Sequence, residues 1–373
     1  MLSKRLENLH PYVPGEQPKD REYLKINANE NPYPPHKSVA KAVKKAISKN
    51  LKNLGVYPDP DANELRLAIS QMLNSCGGVL CNPKAKSDLN FQITPDMIFC
   101  GNGSDEVLSF VFYTFFDSDR PLILPKFTYS FYPVYCGFYN IPMEQIDLKT
   151  DWTLDTEQML EKANRNNSNI IFANPNAPTG ISLSRDEIKQ MLLFAPKDRI
   201  FVVDEAYADF GDETCIPLLK EFENLVIVRT FSKSLSFAGQ RLGYIVANPE
   251  IIKAIFTVKN SFNHFPVDFL TQTAGIASCK AVDYYAENTK KIVEQRKSLI
   301  EFLKANGWFV IDSKTNFVFT KKDGRSGEEI YQKVKSEGIL IRHFATPGIE
   351  DFVRITIGTK KQMDKLKNIL LTI

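Results

Sequence analysis

Lys233 sits between two serines in "TFSKSLSFAGQRLGY" (230–244), with Arg241 eight positions further on and the apolar run "LVIVR" directly before the stretch. A primary amine, two hydroxyls and a guanidinium just beyond a buried strand suit a ligand that carries both an electrophilic carbon and an anion. Three further stretches have the same form. "GNGSDE" (101–106) follows "MIFC" and opens an apolar helical run, so free backbone N–H groups point outward at a helix start, as phosphate sites require. "NPNAPTG" (174–180) follows "NIIFA" and reads, taken alone, as a turn. "DEAYADF" (204–210) follows "IFVV" and leaves the Asp204 carboxylate at the end of a strand that should be deeply buried, where an isolated charge needs a partner.

Each site has an ordinary structural explanation: an N-cap for Ser104, a helix-capping acid for Asp204, a solvated loop lysine for Lys233. Their convergence at successive strand ends argues for one ligand. Pyridoxal 5′-phosphate meets every demand, because its aldehyde condenses with an amine, its ring nitrogen pairs with an acid, and its phosphate takes N–H groups, hydroxyls and arginine. Lys233 would hold the aldehyde, Asp204 the ring nitrogen, and Ser232 and Arg241 the phosphate.

The elements that must position these groups are short apolar runs alternating with amphipathic segments from about residue 95 to 245. This is the pattern of a mainly parallel sheet covered on both faces, with ligands at the carboxyl ends of its strands. "MIFC", "LIL", "NIIFA", "IFVVD" and "LVIVRT" are the strand candidates, and "SRDE" (184–187) has the form of a capping box. The last hundred residues, with "WFVIDS", "NFVFTK", "ILIRHF" and "VRITIG" separated by helical stretches, predict a small α+β domain. Residues 74–90 read as a surface loop.

Bulk composition narrows the class. The 373 residues are 43% hydrophobic and carry a net charge of +3 without a long basic run, which argues for a folded α/β protein and against nucleic-acid binding. The six cysteines (76, 81, 100, 136, 215, 279) show no CxxC spacing, and the four histidines (10, 36, 264, 343) show no ligand spacing, so no metal site is expected. The first residues lack an apolar leader and no segment reads as a membrane span, so a soluble cytoplasmic protein is expected. A nicotinamide site at "GNGSDE" is disfavoured because the sixth position is Glu106.

"NANENPYPP", "YPDPDANELRLAI", "GNGSDEVL", "NPNAPTG", "VVDEAYADF", "RTFSKSLSFAGQRLGY" and "VRITIGT", in this order, resemble the fold-type I aminotransferases, and within them the histidinol-phosphate aminotransferase branch. The resemblance runs from about residue 9 to the C-terminus. It implies a large cofactor-binding domain (41–275) around a mainly parallel seven-stranded sheet, a small C-terminal α+β domain (276–373), and an N-terminal arm (1–40) shared with the latter. It implies Lys233 as Schiff-base lysine and proton shuttle, Asp204 on the ring nitrogen, and Tyr207 on the ring hydroxyl. Gly103, Ser104, Asp105, Ser232 and Arg241 match phosphate-binding positions, Tyr129 the ring-stacking aromatic, and Tyr57 a tyrosine lent across a homodimer interface. Tyr12, Asn29, Arg342 and Arg354 match substrate positions. The activity implied is transamination between L-histidinol phosphate and 2-oxoglutarate, a step of histidine biosynthesis. A threonine-phosphate decarboxylase-like lyase and an aromatic aminotransferase share the cofactor motifs. A catalytically silent relative would lack the lysine or the aspartate, and both are present. One position departs: many relatives carry asparagine directly before "PTG", where this chain has Ala177, so either Asn176 takes over the ring-hydroxyl contact or Tyr207 carries it alone.

Overall fold

The computed structural model describes residues 6, 9–12, 15–49, 51–80, 82, 85–211 and 213–373. Cys81 lies outside the described residues. Among the described residues thirteen strands are formed. Eight precede residue 250: β1 (Leu24–Lys25), β2 (Ile98–Gly101), β3 (Leu122–Pro125), β4 (Met143–Ile146), β5 (Ile170–Ala173), β6 (Phe201–Asp204), β7 (Leu225–Thr230) and β8 (Gly243–Ala247). Five follow residue 300: β9 (Trp308–Ile311), β10 (Phe317–Lys322), β11 (Ile339–Leu340), β12 (Arg342–His343) and β13 (Val353–Thr356).

Seven strands make the central sheet in the order β2-β8-β7-β6-β5-β3-β4. All its pairings are parallel except those of β8, which runs against both β7 and β2. The interior strands are buried along their whole length because helices cover both faces. Alternate residues of β7 accordingly feed separate cores, Leu225 and Ile227 one, Val226 and Val228 the other.

Register explains why distant motifs meet. Ala173 lies opposite Asp204 and Asp204 opposite Val228, while Gly243 pairs with both Thr230 and Gly101. The segments that follow β2, β5, β6 and β7, and the one that enters β8, therefore open at one sheet edge. Gly243 is required there: a Cβ would stand 2.5 Å from the carbonyl carbon of Gly103, so only glycine lets β8 pass under the 101–106 turn.

A second, four-stranded antiparallel sheet, β12-β13-β10-β9, carries the C-terminal core. The expected run "ILIRHF" is divided: β11 pairs in parallel with β1, and β12 joins β13, placing Arg342 opposite Arg354. The capping box forms as expected, with Ser184 and Glu187 each accepting the other's backbone N–H. The surface loop expected over 74–90 is only partly that. Val79 and Leu80 are buried, and the Gly78 carbonyl accepts a hydrogen bond from the buried Arg229, so an interior guanidinium draws the segment inward. Among the described residues no helix is long and apolar enough to cross a membrane, and no group of three or more potential metal ligands gathers.

Candidate active site

Two adjoining cavities lie at the carboxyl edge of the central sheet. The inner one, about 260 Å³, is lined by Ser104, Asp105, Tyr129, Asp204, Tyr207, Ser232, Lys233 and Arg241 among others. The outer one, about 330 Å³, takes in Tyr12, Asn29, Arg342 and Arg354. Tyr129, Tyr207 and Lys233 border both.

Lys233 stands three residues past β7, its Nζ 3.4 Å from the Ala28 carbonyl oxygen. Its loop is pinned from below. Asn31 Nδ2 donates to the carbonyls of Lys233 (2.9 Å) and Ser234 (3.2 Å), and Ser234 Oγ donates to Asp209. Asp209, itself partly buried, in turn pairs with Arg229 (2.9 Å), which also pairs with Glu205 (2.7 Å) in the interior. Removing one partner of such a network costs about 3–5 kcal/mol because it strands the remaining charges. The two serines flanking Lys233 thus part ways: Ser232 lines the inner cavity, and Ser234 is an anchor.

Asp204 ends β6. Its Oδ2 accepts from Tyr132 Oη (2.8 Å) and its Oδ1 from the Ala206 backbone N–H (3.0 Å). Burial pushes its carboxyl up to about 6 against the lowering effect of these two donors. Among the described residues no cationic side chain pairs with it.

The anion end is built by the 101–106 turn and the loop before β8. Arg241 pairs with Asp105 at 2.9 Å, and Asp105 also accepts from Tyr129 Oη at 2.8 Å. Gly103, at φ +81°, opens helix Gly103–Phe115, and a Cβ there would meet the Arg241 guanidinium at 2.5 Å, so the turn leaves room for that side chain only because it has none itself.

Tyr207 Oη accepts from Asn29 Nδ2 at 2.8 Å, tying the chain after β6 to the N-terminal segment. Arg342 and Arg354 face each other across β12 and β13 at the outer cavity, which no Asp or Glu side chain lines among the described residues. Burial first, and Arg342 beside it, hold the Arg354 guanidinium below its usual range, so an anion in this cavity would be favoured.

Two expected side chains stand apart. Asn176 lines neither cavity: its Nδ2 donates to the Phe127 carbonyl (2.9 Å) and to Thr179 Oγ1 (3.1 Å), so it has no amide N–H left to offer a ring oxygen. Of the two alternatives for the ring-hydroxyl contact, this arrangement favours Tyr207 alone over Asn176. Tyr57 also lines neither cavity, being 80% exposed and stacked on Phe265 at 4.4 Å. The residues that sequence reasoning missed are Tyr132 and the Arg229–Glu205–Asp209 network. "DEAYAD" and "VIVR" did offer a signal for the latter, since acids beside an arginine that closes an apolar strand must find each other when buried.

A buried carboxylate lacking a cation, an amine, a hydroxyl and a guanidinium beside a helix start enclose one space, and this donor set fits a group with a basic ring nitrogen, an aldehyde and a phosphate. Such a space on a mainly parallel sheet with a second, smaller antiparallel sheet beside it defines an enzyme class, and residues 21–370 match the family described as aminotransferase class I and II. The chain belongs to that family. It is 47% identical to a histidinol-phosphate aminotransferase of Syntrophus aciditrophicus, over 98% of this chain and 96% of that protein. It is 41% identical to the enzyme of the same name from Acinetobacter baylyi, over 99% and 96%. Its fold matches the crystal structure of histidinol-phosphate aminotransferase from Sinorhizobium meliloti in complex with pyridoxal-5′-phosphate, with a TM-score of 0.83, 24% identity, and coverage of 100% of this chain and 96% of that one.

Proposed function

We propose that this aminotransferase exchanges the amino group of L-histidinol phosphate with 2-oxoglutarate, using pyridoxal 5′-phosphate held in the inner cavity. The observation that carries the reading is that Lys233 borders both cavities, with Asp204, Ser232 and Arg241 on one side and Arg342 and Arg354 on the other. Bound there, the cofactor supplies a conjugated ring that draws off the electron pair left when the substrate's α-proton departs.

The chain's own residues do the rest. Asp204 offers a buried carboxylate to the ring nitrogen, and Tyr207 offers its hydroxyl to the ring oxygen. Ser232, Arg241 and the N–H groups of Gly103, Ser104 and Asp105 hold the phosphate. Tyr129 covers the ring. Lys233 moves a proton between the substrate's amine-bearing carbon and its own Nζ, and the cavity junction is where it can do so. Arg342 and Arg354 hold the substrate's anionic end through charge-assisted bonds, with Tyr12 and Asn29 closing the outer cavity. The exposed ring of Tyr57, aimed into neither cavity of its own chain, supports a homodimer in which it reaches the neighbour's phosphate, and the work is that of a cytoplasmic biosynthetic enzyme.

A substrate panel tests the assignment. Histidinol phosphate should exceed histidinol and phenylalanine in kcat/KM by at least about 100-fold, the value of one or two charge-assisted contacts. Equal rates with and without the phosphate would remove the substrate, and carbon dioxide released from threonine phosphate would replace transamination with lyase chemistry.

A further inference from the structure

Tyr132 lies on helix Phe131–Tyr139, wholly buried, and lines neither cavity. Its ring packs edge-on against Tyr129 at 5.5 Å and, stacked, against Phe112 at 6.4 Å, contacts that phenylalanine would make equally well. What phenylalanine lacks is the hydroxyl. A buried hydroxyl is costly unless it is bonded, and this one donates to Asp204 Oδ2 at 2.8 Å, the same carboxylate whose other oxygen takes the Ala206 N–H. We propose that Tyr132 is a positioning residue that fixes the plane of the Asp204 carboxylate and keeps it ionised, so that Asp204 can hold a protonated ring nitrogen without Tyr132 touching the cofactor.

The surroundings show why a donor is needed. Burial is the largest influence on Asp204 and raises its affinity for a proton, and the nearby Asp105 and Glu205 push in the same direction. Tyr129, Tyr207, Lys233 and Arg241 face it across the inner cavity. Of the two groups that favour its charged form most, the Ala206 N–H is backbone and fixed, so the Tyr132 hydroxyl is the one that the side-chain sequence controls. Without it, the carboxyl would take up a proton nearer neutrality. A neutral acid holds a ring cation poorly.

The proposal rests on pyridoxal phosphate occupying the inner cavity, and its test separates the two ideas. The full chain, stripped of cofactor, is titrated at pH 7.5 with pyridoxal phosphate and with its carbon analogue, in which CH replaces the ring nitrogen, following protein fluorescence and ligand absorbance. Tyr132→Phe should weaken pyridoxal phosphate about tenfold or more, the scale of a hydrogen bond to a charged group. The carbon analogue should lose less than about twofold. The difference should disappear on an Asp204→Asn background, and Tyr132→His, which can still donate, should recover part of the loss. As the pH is lowered, the variant's affinity for pyridoxal phosphate should fall at a higher pH than the wild type's. Equal weakening of both ligands, loss that persists on the Asp204→Asn background, or no loss at all would each overturn the proposal. Failure of the wild type to bind pyridoxal phosphate would instead overturn the functional reading beneath it.

Discussion

Replacing Asp204 by asparagine should make the cofactor-free protein more stable while abolishing turnover. Burial pushes the carboxyl up to about 6 in the folded chain against an ordinary value of 3.8. A group whose folded value is raised contributes most to stability below its unfolded value, and that contribution is lost as the pH rises through the folded one. Between about pH 4 and pH 6 the cofactor-free protein should therefore lose stability as Asp204 is forced to ionise. Two units at about 1.4 kcal/mol each set the loss at about 3 kcal/mol by pH 7. Asparagine cannot ionise and so escapes it: its oxygen can accept from the Ala206 N–H and its amide can donate to the Tyr132 oxygen, the Tyr132 O–H then losing its acceptor, so that about 3 kcal/mol is the upper end of the gain. With about 2 cal/mol/K of unfolding entropy per residue, 3 kcal/mol corresponds to about 4 °C for a chain of this length. Thermal unfolding of cofactor-free wild type and Asp204→Asn at pH 7.5 should show that gain. At pH 4 the two should melt together, and saturating pyridoxal phosphate should stabilise the wild type more than the variant. A cofactor-free variant no more stable than wild type at pH 7.5, or a gain that persists undiminished at pH 4, would refute the account of Asp204 as a strained carboxylate awaiting a cation.

Gly103→Ala should weaken pyridoxal phosphate at least tenfold by equilibrium titration, since the new methyl would stand where the Arg241 guanidinium now lies. Asn176→Ala should lower the denaturant midpoint by about 1–2 kcal/mol equivalent and leave cofactor affinity within about threefold, because its amide serves the Phe127 carbonyl and Thr179. Mixing two inactive variants, Tyr57→Ala and Lys233→Ala, should restore part of the transaminase activity through hybrid dimers with one intact site. A mixture that stays inactive while the subunits demonstrably exchange would count against a shared site.

The cofactor end was readable because strands buried on both faces are uniformly apolar and stop abruptly at their first polar residue. Lys233, Asp204 and the 101–106 turn announce themselves by contrast. Two strands of the central sheet escaped that signal. In β4 only Ile146 is buried, as befits the sheet edge, so it has no apolar run to notice. β8, "GYIVA", follows the Lys233 stretch so closely that it reads as part of the motif. The division of "ILIRHF" was also invisible, because its apolar residues alone cannot say that Leu340 and Arg342 will pair in different sheets. Asn176 was ambiguous for a related reason: its place in the chain left its reach open, whereas the carbonyl that claims its amide in the fold belongs to Phe127, 49 residues upstream.

The serine pair around Lys233 shows what sequence could and could not deliver. Both hydroxyls flank the amine symmetrically along the chain, and although the letters pointed Ser232 to the phosphate, they assigned Ser234 no task. In the fold, Ser232 and Ser234 stand two and four residues past β7, in a loop where Ser236 turns left-handed at φ +60° and the Phe237 N–H donates to the Phe231 carbonyl, and the two hydroxyls meet different surroundings. Ser232 is left towards the cavity and Ser234 towards Asp209, beneath the sheet edge. Arg229 then links that anchor to Glu205, the residue directly after Asp204. The neighbours of the amine and of the acid that would grip opposite ends of one flat ring are thus fastened to a single interior guanidinium, an arrangement suited to holding both in place before any ligand arrives.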